Sequence, residues 1–368
     1  MSLSSAIKTC ALKAGFDIAG VAPLSGFQDL EFAQTWLEKG YGGEMDYLKN
    51  PKRTDPRLIL PSARSIVCVS LVYNTSRLYS TEVGRRSPAP LTKGKRSLGD
   101  GPRAWISRYA WGRDYHAIMR SRLERLRADI ESLAPGVETR AFVDTGPIVE
   151  RAFARLSGIG WVGKNTCLIN QEKGSWFFLG VILTSLDLEP GSPAFDRCGS
   201  CRRCLDACPT GALVEPYVMD ASRCISYFTI ELKASIPVEY RASIGANVFG
   251  CDICQDVCPW NGRALPAVSG SLPQVRQAAV TALAEFQPQT IDLPRDPSRP
   301  RMTDRELQNG PRRTTDDELR TPQRVSNFKF RFSLFNPRLE DLASLTEDEF
   351  RRVFRDSPIK RAKYRSWL

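Results

Sequence analysis

The chain carries the run Cys198-Gly-Ser-Cys201-Arg-Arg-Cys204-Leu-Asp-Ala-Cys208-Pro209. Its spacing, C-x2-C-x2-C-x3-C-P, is typical of bacterial ferredoxins, in which three thiolates bind one [4Fe-4S] cluster and the fourth binds a neighbouring cluster. A second, stretched copy comprises Cys224 and the run Cys251-Asp-Ile-Cys254-Gln-Asp-Val-Cys258-Pro259. The sequence therefore predicts a ferredoxin-like module with two clusters and a function in electron transfer.

Exchange of the fourth cysteine between the two motifs assigns four thiolates to each predicted cluster. The first set is Cys198, Cys201, Cys204 and Cys258, and the second set is Cys208, Cys224, Cys251 and Cys254. A structural zinc site is disfavoured because its cysteines usually form two separated pairs. Disulfides are disfavoured because the N-terminus shows no export signal, which also predicts a cytoplasmic location.

Length, charge and the remaining cysteines limit the other possibilities. A chain of 368 residues is long enough for two or three domains, and its net charge of +11 favours a polyanionic partner such as nucleic acid. No stretch approaches a membrane span, and a monomer is predicted. Cys10 and Cys68 are interpreted as core residues, whereas Cys167 is interpreted as either packing or a cofactor contact.

The chain divides by composition into four parts. Residues 1–190 alternate helical and strand patterns and predict an α/β domain, and residues 191–262 form the cluster module. Residues 263–325 are rich in Pro, Arg, Gln, Asp and Thr and predict a partly disordered insertion or linker. Residues 326–368 form a basic C-terminal segment with a short helix. The predicted fold class is thus a mixture of α/β and α+β.

Periodicity predicts the individual elements. Predicted helices are Ser5–Ala14, Asp29–Lys39, Tyr115–Leu133, Ile148–Leu156, a helix-like stretch Gln274–Phe286, and Glu347–Arg355 behind a capping box. Predicted strands are Ile18–Ala22, Ser65–Tyr73, Thr139–Asp144 and Trp176–Leu188.

Three local signals bear on the chemistry. Asp144-Thr-Gly146 resembles an aspartic-protease triplet, but such an enzyme needs two triplets and this chain has one. Asp114-Tyr-His116 resembles the start of a cobalamin-binding D-x-H-x-x-G box, but Met119 stands where the glycine belongs. Neither a dinucleotide-binding glycine run nor a P-loop occurs, so electrons are expected from a flavodoxin-like or ferredoxin-like protein donor.

Several dispersed runs agree in order and spacing with one known family. These runs are Arg108-Tyr-Ala-Trp-Gly-Arg-Asp-Tyr-His116, Val143-Asp-Thr-Gly146, Gly158-Ile-Gly-Trp-Val-Gly-Lys-Asn165, Gly174-Ser-Trp-Phe-Phe-Leu179, Cys198–Thr210, Arg223-Cys-Ile-Ser226 and Phe249-Gly-Cys-Asp-Ile-Cys-Gln255. Together they resemble the epoxyqueuosine reductases, which are cobalamin-dependent iron–sulfur enzymes of tRNA queuosine biosynthesis. The resemblance covers about residues 1–262 and resumes at Phe330–Tyr364.

The resemblance implies reduction of the epoxide of epoxyqueuosine to the alkene of queuosine at the wobble position of tRNA. It implies base-off cobalamin in a domain related to reductive dehalogenases, next to the two-cluster domain. Asp144 would be the proton donor, and Asp114 would line the same pocket. Residues expected around the cobalamin are Arg53, Ser107, Asp144, Lys164, Cys167, Leu168, Leu179, Ser226 and Asp252. Trp161, Phe177 and Phe178 are expected to raise the pKa of Asp144 by excluding water.

Three alternatives remain open from the residues alone. One is another cobalamin and iron–sulfur reductase, such as a reductive dehalogenase; the absence of a twin-arginine export signal and the basic charge count against it. The second is an electron carrier fused to a structural domain, and the third is a nucleic-acid-binding protein with structural clusters. Longer family members continue into HEAT-like repeats that hold tRNA. Here that task is expected to fall to two basic stretches, Arg85–Arg103 and Arg295–Arg365.

Overall fold

The computed structural model describes residues 2–24, 28–53, 55–81, 103–262, 279–294 and 329–362. Its α-helices are α1 (Leu3–Lys13), α2 (Gln28–Glu38), α3 (Tyr115–Leu133), α4 (Glu150–Leu156), α5 (Arg203–Ala207), α6 (Ile225–Ile230), α7 (Val238–Ile244), α8 (Ile253–Asp256), α9 (Leu339–Ala343) and α10 (Glu347–Val353). Its strands are β1 (Ile18–Pro23), β2 (Ser65–Val72), β3 (Trp105–Ile106), β4 (Thr139–Phe142), β5 (Trp161–Val162), β6 (Leu168–Ile169), β7 (Phe177–Thr184), β8 (Leu213–Glu215), β9 (Val218–Met219), β10 (Asn247–Phe249), β11 (Thr290–Pro294) and β12 (Lys329–Ser333).

The described residues before 191, which the family resemblance implies to be the catalytic part, are built on a four-stranded sheet in the order β1-β2-β7-β4. Every pairing in it is antiparallel, with Val67 opposite Ile182 at the centre and Phe142 opposite Val181 at the edge. Helices α1 and α3 cover one face, and α4 covers the other. Because both faces are covered, all eight residues of β2 are buried, as its continuous apolar sequence requires.

Most of the predicted elements of this part are confirmed. The predicted helix Tyr115–Leu133 has the bounds of α3, and it buries the five residues Tyr115, Met119, Leu123, Leu126 and Ile130. The other predicted helices and strands of residues 1–190 occur with ends shifted by a few residues. The mixed fold class is likewise confirmed, with the antiparallel sheet placing the catalytic part in the α+β class.

The helix-like prediction for Gln274–Phe286 is wrong within the described residues. Residues 279–283 form no helix, and only Ala284–Phe286 makes a single 3-10 turn. The backbone bonds to the catalytic part instead, since the Thr281 amide donates to the Asn74 carbonyl and the Arg113 amide donates to the Glu285 carbonyl. These tertiary hydrogen bonds replace the local helical ones, so the weak periodicity had no structural meaning.

A buried polar joint ties the cluster module to the catalytic part. Asn261 is fully buried; its amide Nδ2 donates to Ser175 Oγ, and its Oδ1 accepts from the Ser175 amide, both at 2.7 Å. The Tyr79 hydroxyl donates to the Asn261 carbonyl at 2.6 Å. Asn261 satisfies its polar groups across this boundary, so we infer that the module is held in a fixed position.

The C-terminal segment packs against the same two parts. Strands β11 and β12 pair as an antiparallel hairpin, so the stretch 263–325, predicted as a linker, contains an ordered strand. Helix α10 starts with the predicted capping box, in which Thr346 and Glu349 bond each other's backbone amides. Several predicted segments lie outside the described residues. These are the basic stretch from Arg85 up to residue 102, residues 263–278 and 295–325 of the predicted linker, and the basic end from residue 363. The three boundaries between the four predicted parts stay predictions.

Candidate active site and iron–sulfur centres

The eleven cysteines are all free thiols. The division of the eight motif cysteines into two ligand sets stays a prediction, and the charge interactions between their thiols follow it in part. In the first set, the charges of Cys198 and Cys204 raise the pKa of the Cys258 thiol. Those of Cys198 and Cys201 raise the pKa of the Cys204 thiol. Among the described residues, no three Cys, His, Asp or Glu side chains converge on one metal position. Support for the grouping of the cysteines therefore rests on the electrostatic interactions between their thiols. Burial raises the pKa of the Cys204 and Cys258 thiols to about 11 and about 12, so binding iron must displace their protons.

The second set is also close together. Cys208 and Cys224 are neighbours of Cys251, and Cys251 and Cys224 are neighbours of Cys254. Cys167 lies outside both sets, but its thiol hydrogen bonds to that of Cys254, and this bond holds the pKa of Cys167 below its usual value. The Cys167 thiol also interacts with Cys258 of the first set, more strongly than Cys198 or Cys204 does, so it is a neighbour of a predicted ligand in each set.

Trp161 is a buried tryptophan beside the first set. It packs with Cys198, Cys258 and Trp260, and its ring stands nearly perpendicular to that of Trp260 at 5.0 Å between centroids. The indole Nε1 is buried without a protein oxygen or nitrogen to accept its hydrogen. It faces the Cys198 thiol instead and stabilises the thiolate form. A buried N–H directed at a ligand sulfur fits an iron–sulfur cluster.

Asp144 occupies a strained corner after β4. Its φ is +53°, in the left-handed region that non-glycine residues adopt rarely. The Asp144 amide donates to Glu150 Oε1 at 2.7 Å, which holds the corner in place. Helix α4 has Val149 as its N-cap and no side-chain cap bond, so Asp144 does not cap this helix. Its carboxylate is instead free to face the site.

A linear array of charged groups converges on that carboxylate. Asp144 Oδ2 lies 2.9 Å from Arg361 Nη1 and 3.3 Å from His116 Nε2. The other ring nitrogen of His116, Nδ1, lies 2.7 Å from Asp114 Oδ1. A ring with a carboxylate at each nitrogen satisfies both only as the doubly protonated imidazolium.

Two basic residues of the C-terminal segment complete the array. Lys360 pairs with Asp114, and Arg361 bridges Asp144 to Glu231, whose Oε1 is 3.3 Å from Nη2. Arg361 and Asp144 are 36% and 40% exposed, so solvent and substrate can reach this pair.

The expectation that apolar neighbours raise the pKa of Asp144 is wrong. Partial burial acts in that direction, but the hydrogen bond from His116 and the charge of Arg361 outweigh it and hold the pKa below its usual value. For His116, burial lowers the pKa, while the hydrogen bonds to Asp114 and Asp144 raise it and prevail. Both shifts favour the ion pair of an Asp144 carboxylate and a His116 imidazolium.

Glu150 is a site residue that the sequence analysis missed. Burial raises the pKa of this carboxyl to about 8, against the opposing hydrogen bond from the Asp144 amide. In the local sequence nothing separates it from an ordinary glutamate in the first turn of a helix. Its signal was only its position, six residues after a predicted catalytic aspartate.

The other predicted site residues fall into separate groups. Arg53 Nη1 donates to the Ile148 carbonyl at 3.3 Å on the Asp144 side. Asp252 is buried and accepts from Ser107 Oγ at 2.5 Å, Trp105 Nε1 at 2.9 Å and the Arg108 amide at 2.8 Å. Both of its oxygens are thus used within the protein.

Lys164 and Ser226 lie beside the thiol sets, whereas Leu168 packs in the core around α4. Lys164 Nζ donates to the carbonyls of Gly199 and Cys201 at 2.5 and 3.0 Å. The Ser226 backbone amide and hydroxyl hydrogen bond to the thiol of Cys224 in the second set. Leu168 is buried on β6. Of these predicted cobalamin contacts, Lys164 and Ser226 therefore border the thiol sets rather than the acid–base array.

Tyr109 and Leu179 are two further residues near the acid–base array. Tyr109 interacts with both Asp144 and Asp252, so it lies between the acid–base array and the second thiol set. Leu179 is the one residue of the central strand β7 that is not buried. Because β4 runs antiparallel to β7 with Phe142 opposite Val181, the Asp144 corner follows at the level of Leu179. A partly buried apolar residue thus lies at the end of β7 towards which the Asp144 corner leads.

Comparison with known proteins matches both parts of this arrangement. A family model described as a 4Fe-4S double cluster binding domain matches residues 197–261. The fold and the two thiol sets define the chain as an iron–sulfur oxidoreductase with a double-cluster domain. A second family model, described as "Epoxyqueuosine reductase QueG, DUF1730", matches residues 53–145. The chain belongs to the epoxyqueuosine reductase family, as the following relatives show.

Similar proteins extend over nearly the whole chain. An epoxyqueuosine reductase of Synechocystis is 37% identical over 348 residues, covering 94% of this chain and 95% of its own length. One of Pseudomonas aeruginosa is 35% identical and covers 100% of this chain and 83% of its own. A solved epoxyqueuosine reductase with an epoxyqueuosine-modified tRNA-Tyr stem loop superposes with a TM-score of 0.71 at 28% identity, covering 99% of this chain and 79% of that one.

Proposed function

We propose that this chain reduces the epoxide of epoxyqueuosine in tRNA to the alkene of queuosine. Family membership supports the reaction, and the solved relative with a modified tRNA stem loop supports tRNA as the substrate. The observation that carries the chemistry is the array Asp114–His116–Asp144, which ends in a solvent-accessible carboxylate. Loss of an epoxide oxygen as water consumes two protons, so a proton pathway to the substrate oxygen is required.

In this array Asp144 gives a proton to the substrate oxygen and His116 supplies it. The imidazolium is the proton store, because Asp114 holds its Nδ1 and directs Nε2 at Asp144 Oδ2. Asp144 is ionised at rest, and charge developing on the substrate oxygen draws the proton across this 3.3 Å contact. Glu150 keeps the strained Asp144 corner in position through its bond to the Asp144 amide.

Replacement of His116 by Gln is expected to slow single-turnover conversion about 10²-fold. The wild-type rate should fall as the pH rises through the His116 pKa, which lies above its usual 6.5, since the imidazolium then loses its proton. This fall should be absent from the variant. Rate against pH under single-turnover conditions measures both effects, and an unchanged pH profile in the variant would remove His116 from the proton pathway.

Two [4Fe-4S] clusters and base-off cobalamin are the proposed cofactors. The buried indole N–H at Cys198 fits a cluster on the first thiol set, and Cys208, Cys224, Cys251 and Cys254 would hold the second. The partly exposed Leu179, at the end of β7 towards the Asp144 corner, fits the apolar ring of a cobalamin. The remaining proposed contacts are Arg53, Ser107, Lys164, Cys167, Leu168, Ser226 and Asp252. When bound, these cofactors would supply the electrons and the low-potential cobalt chemistry that epoxide removal needs.

An external protein, flavodoxin-like or ferredoxin-like, is the proposed electron donor, and the protein is proposed to act as a cytoplasmic monomer. No helix within the described ranges is long and apolar enough to cross a membrane.

The proposal is tested by expressing the gene in a bacterial strain that lacks its own epoxyqueuosine reductase. Nucleosides from total tRNA are then separated and identified by mass spectrometry. Restored queuosine is the expected result. Accumulated epoxyqueuosine, despite soluble protein carrying iron and cobalt, would assign the chain a different substrate.

A further inference from the structure

A basic groove runs along the side of the catalytic part, away from the thiol sets. Its volume is about 430 Å³, and it lies between the C-terminal end of α1, one face of α3 and the loop at Glu285. Its charged lining consists of four cations and one carboxylate: Lys13, Arg113, Arg122, Arg125 and Glu285. The groove therefore has a local positive charge that the proton pathway does not use.

Helical spacing explains why these cations share one face. Ala117, Ser121 and Arg125 follow one another at intervals of four residues along α3, and Ile118 and Arg122 form the adjacent row. Ala117 and Ser121 of the first row have small side chains, which leave space in the groove beside the guanidinium groups of Arg122 and Arg125.

Gly15 shapes the end of the groove. Its φ is +91°, and a Cβ there would meet Arg122 Nη1 at 2.7 Å. Arg122 donates to the Gly15 carbonyl and closes this end. Among the described residues, none of the four cations forms an ion pair with a carboxylate, so their charge is available to a ligand.

The groove starts next to the active site. Arg113 immediately precedes Asp114, whose carboxylate holds His116. Arg113 lies just before α3, and the ten helical steps from Tyr115 to Arg125 span roughly 15 Å at 1.5 Å per residue. This length is enough to follow several consecutive phosphates of one nucleic-acid strand. The groove lining contains no aromatic side chain on which a base could stack.

We infer that this groove binds the phosphate backbone of the substrate RNA beyond the modified nucleotide, along the stem that follows the anticodon loop. The inference rests on the proposed function, because it takes tRNA as the substrate. Contacts to phosphates without base stacking bind RNA independently of its sequence. The groove thus holds the stem, while the Asp144 site selects the modified base.

The test removes charge from the groove without touching the active site. In Lys13→Gln/Arg125→Gln, two groove cations are lost, and Arg122 and Arg113 are kept for their structural positions. The matched control, Lys8→Gln/Arg120→Gln, removes the same charge from the same two helices outside the groove lining. Binding of tRNA is measured by fluorescence anisotropy between 50 and 200 mM salt.

The groove variant is expected to bind tRNA roughly tenfold more weakly at low salt, and its slope of log K against log salt should be shallower by about 1.5. KM should rise with kcat unchanged, and tRNAs of different stem sequence should be affected equally. The control should keep the wild-type slope. Equal slope changes in both variants would overturn the inference, because general charge would then explain binding.

Two further outcomes distinguish this inference from a protein-docking role of the groove and from the proposed reaction. If the variant binds tRNA normally but accepts electrons slowly from an acidic donor protein, the groove is a protein-docking site and the inference is wrong. If the wild-type protein binds tRNA through the groove yet converts no epoxyqueuosine, the inference stands and the proposed reaction fails.

Discussion

Asp144→Asn is expected to slow single-turnover conversion of epoxyqueuosine in tRNA by about 10²- to 10⁴-fold. Asparagine has the same shape and still accepts from Arg361 at Oδ1, but it has no acidic proton to give. The bond from the Asp144 amide to Glu150 does not involve the side chain, so the corner should keep its conformation. The measurement is product per enzyme after reduction and rapid quenching, with nucleosides analysed by mass spectrometry.

Controls distinguish lost chemistry from lost binding. Iron and cobalt content and tRNA affinity of Asp144→Asn should equal those of the wild type. Asp129→Asn, a matched change on α3 away from the site, should be fully active. A variant at Asp144 that retains more than about a tenth of the wild-type rate would show that another group protonates the substrate.

Replacement of a cluster cysteine is expected to have the second large effect. Cys258→Ser should lose one cluster, lowering bound iron from about eight to about four atoms per chain, and abolish turnover. Cys258 stands in the second sequence motif but groups with Cys198 and Cys204 of the first. Its electron paramagnetic resonance spectrum should therefore match that of Cys204→Ser, since the same cluster is lost in both.

The comparison with Cys254→Ser makes this prediction specific. That variant should lose the other cluster and give a different spectrum, although Cys254 is much closer to Cys258 in sequence. Cys10→Ser provides the control, because Cys10 is partly buried on α1 and belongs to neither set. Identical spectra for Cys258→Ser and Cys254→Ser would contradict the exchange of fourth ligands.

The sequence predicted well those features that depend on local spacing. The bounds of α3 follow from apolar residues at steps of three and four, and the double-cluster domain matched at residues 197–261 follows from the cysteine spacing. The basic C-terminal segment was recognised only as a possible RNA contact. Its Arg361 instead reaches Asp144 across 217 residues of sequence, a contact that no local pattern encodes.

The error about the pKa of Asp144 has the same origin. Trp161 was expected near Asp144, but it packs against Cys198 and Cys258 of the first thiol set. The groups that do surround Asp144 come from α3, α4 and the C-terminal segment, and the nearest of them are positively charged. Side-chain surroundings of a catalytic group depend on tertiary packing, which the order of motifs along the chain does not determine.

The most direct test of the account is conversion of epoxyqueuosine by the protein reconstituted anaerobically with iron, sulfide and cobalamin, and by matched preparations that lack either cofactor. Reduced enzyme is mixed with tRNA carrying epoxyqueuosine, and the nucleosides are quantified by mass spectrometry. Queuosine is expected only from the preparation that contains both cofactors. Queuosine formed without cobalamin, or none formed by the fully loaded protein, would contradict this expectation.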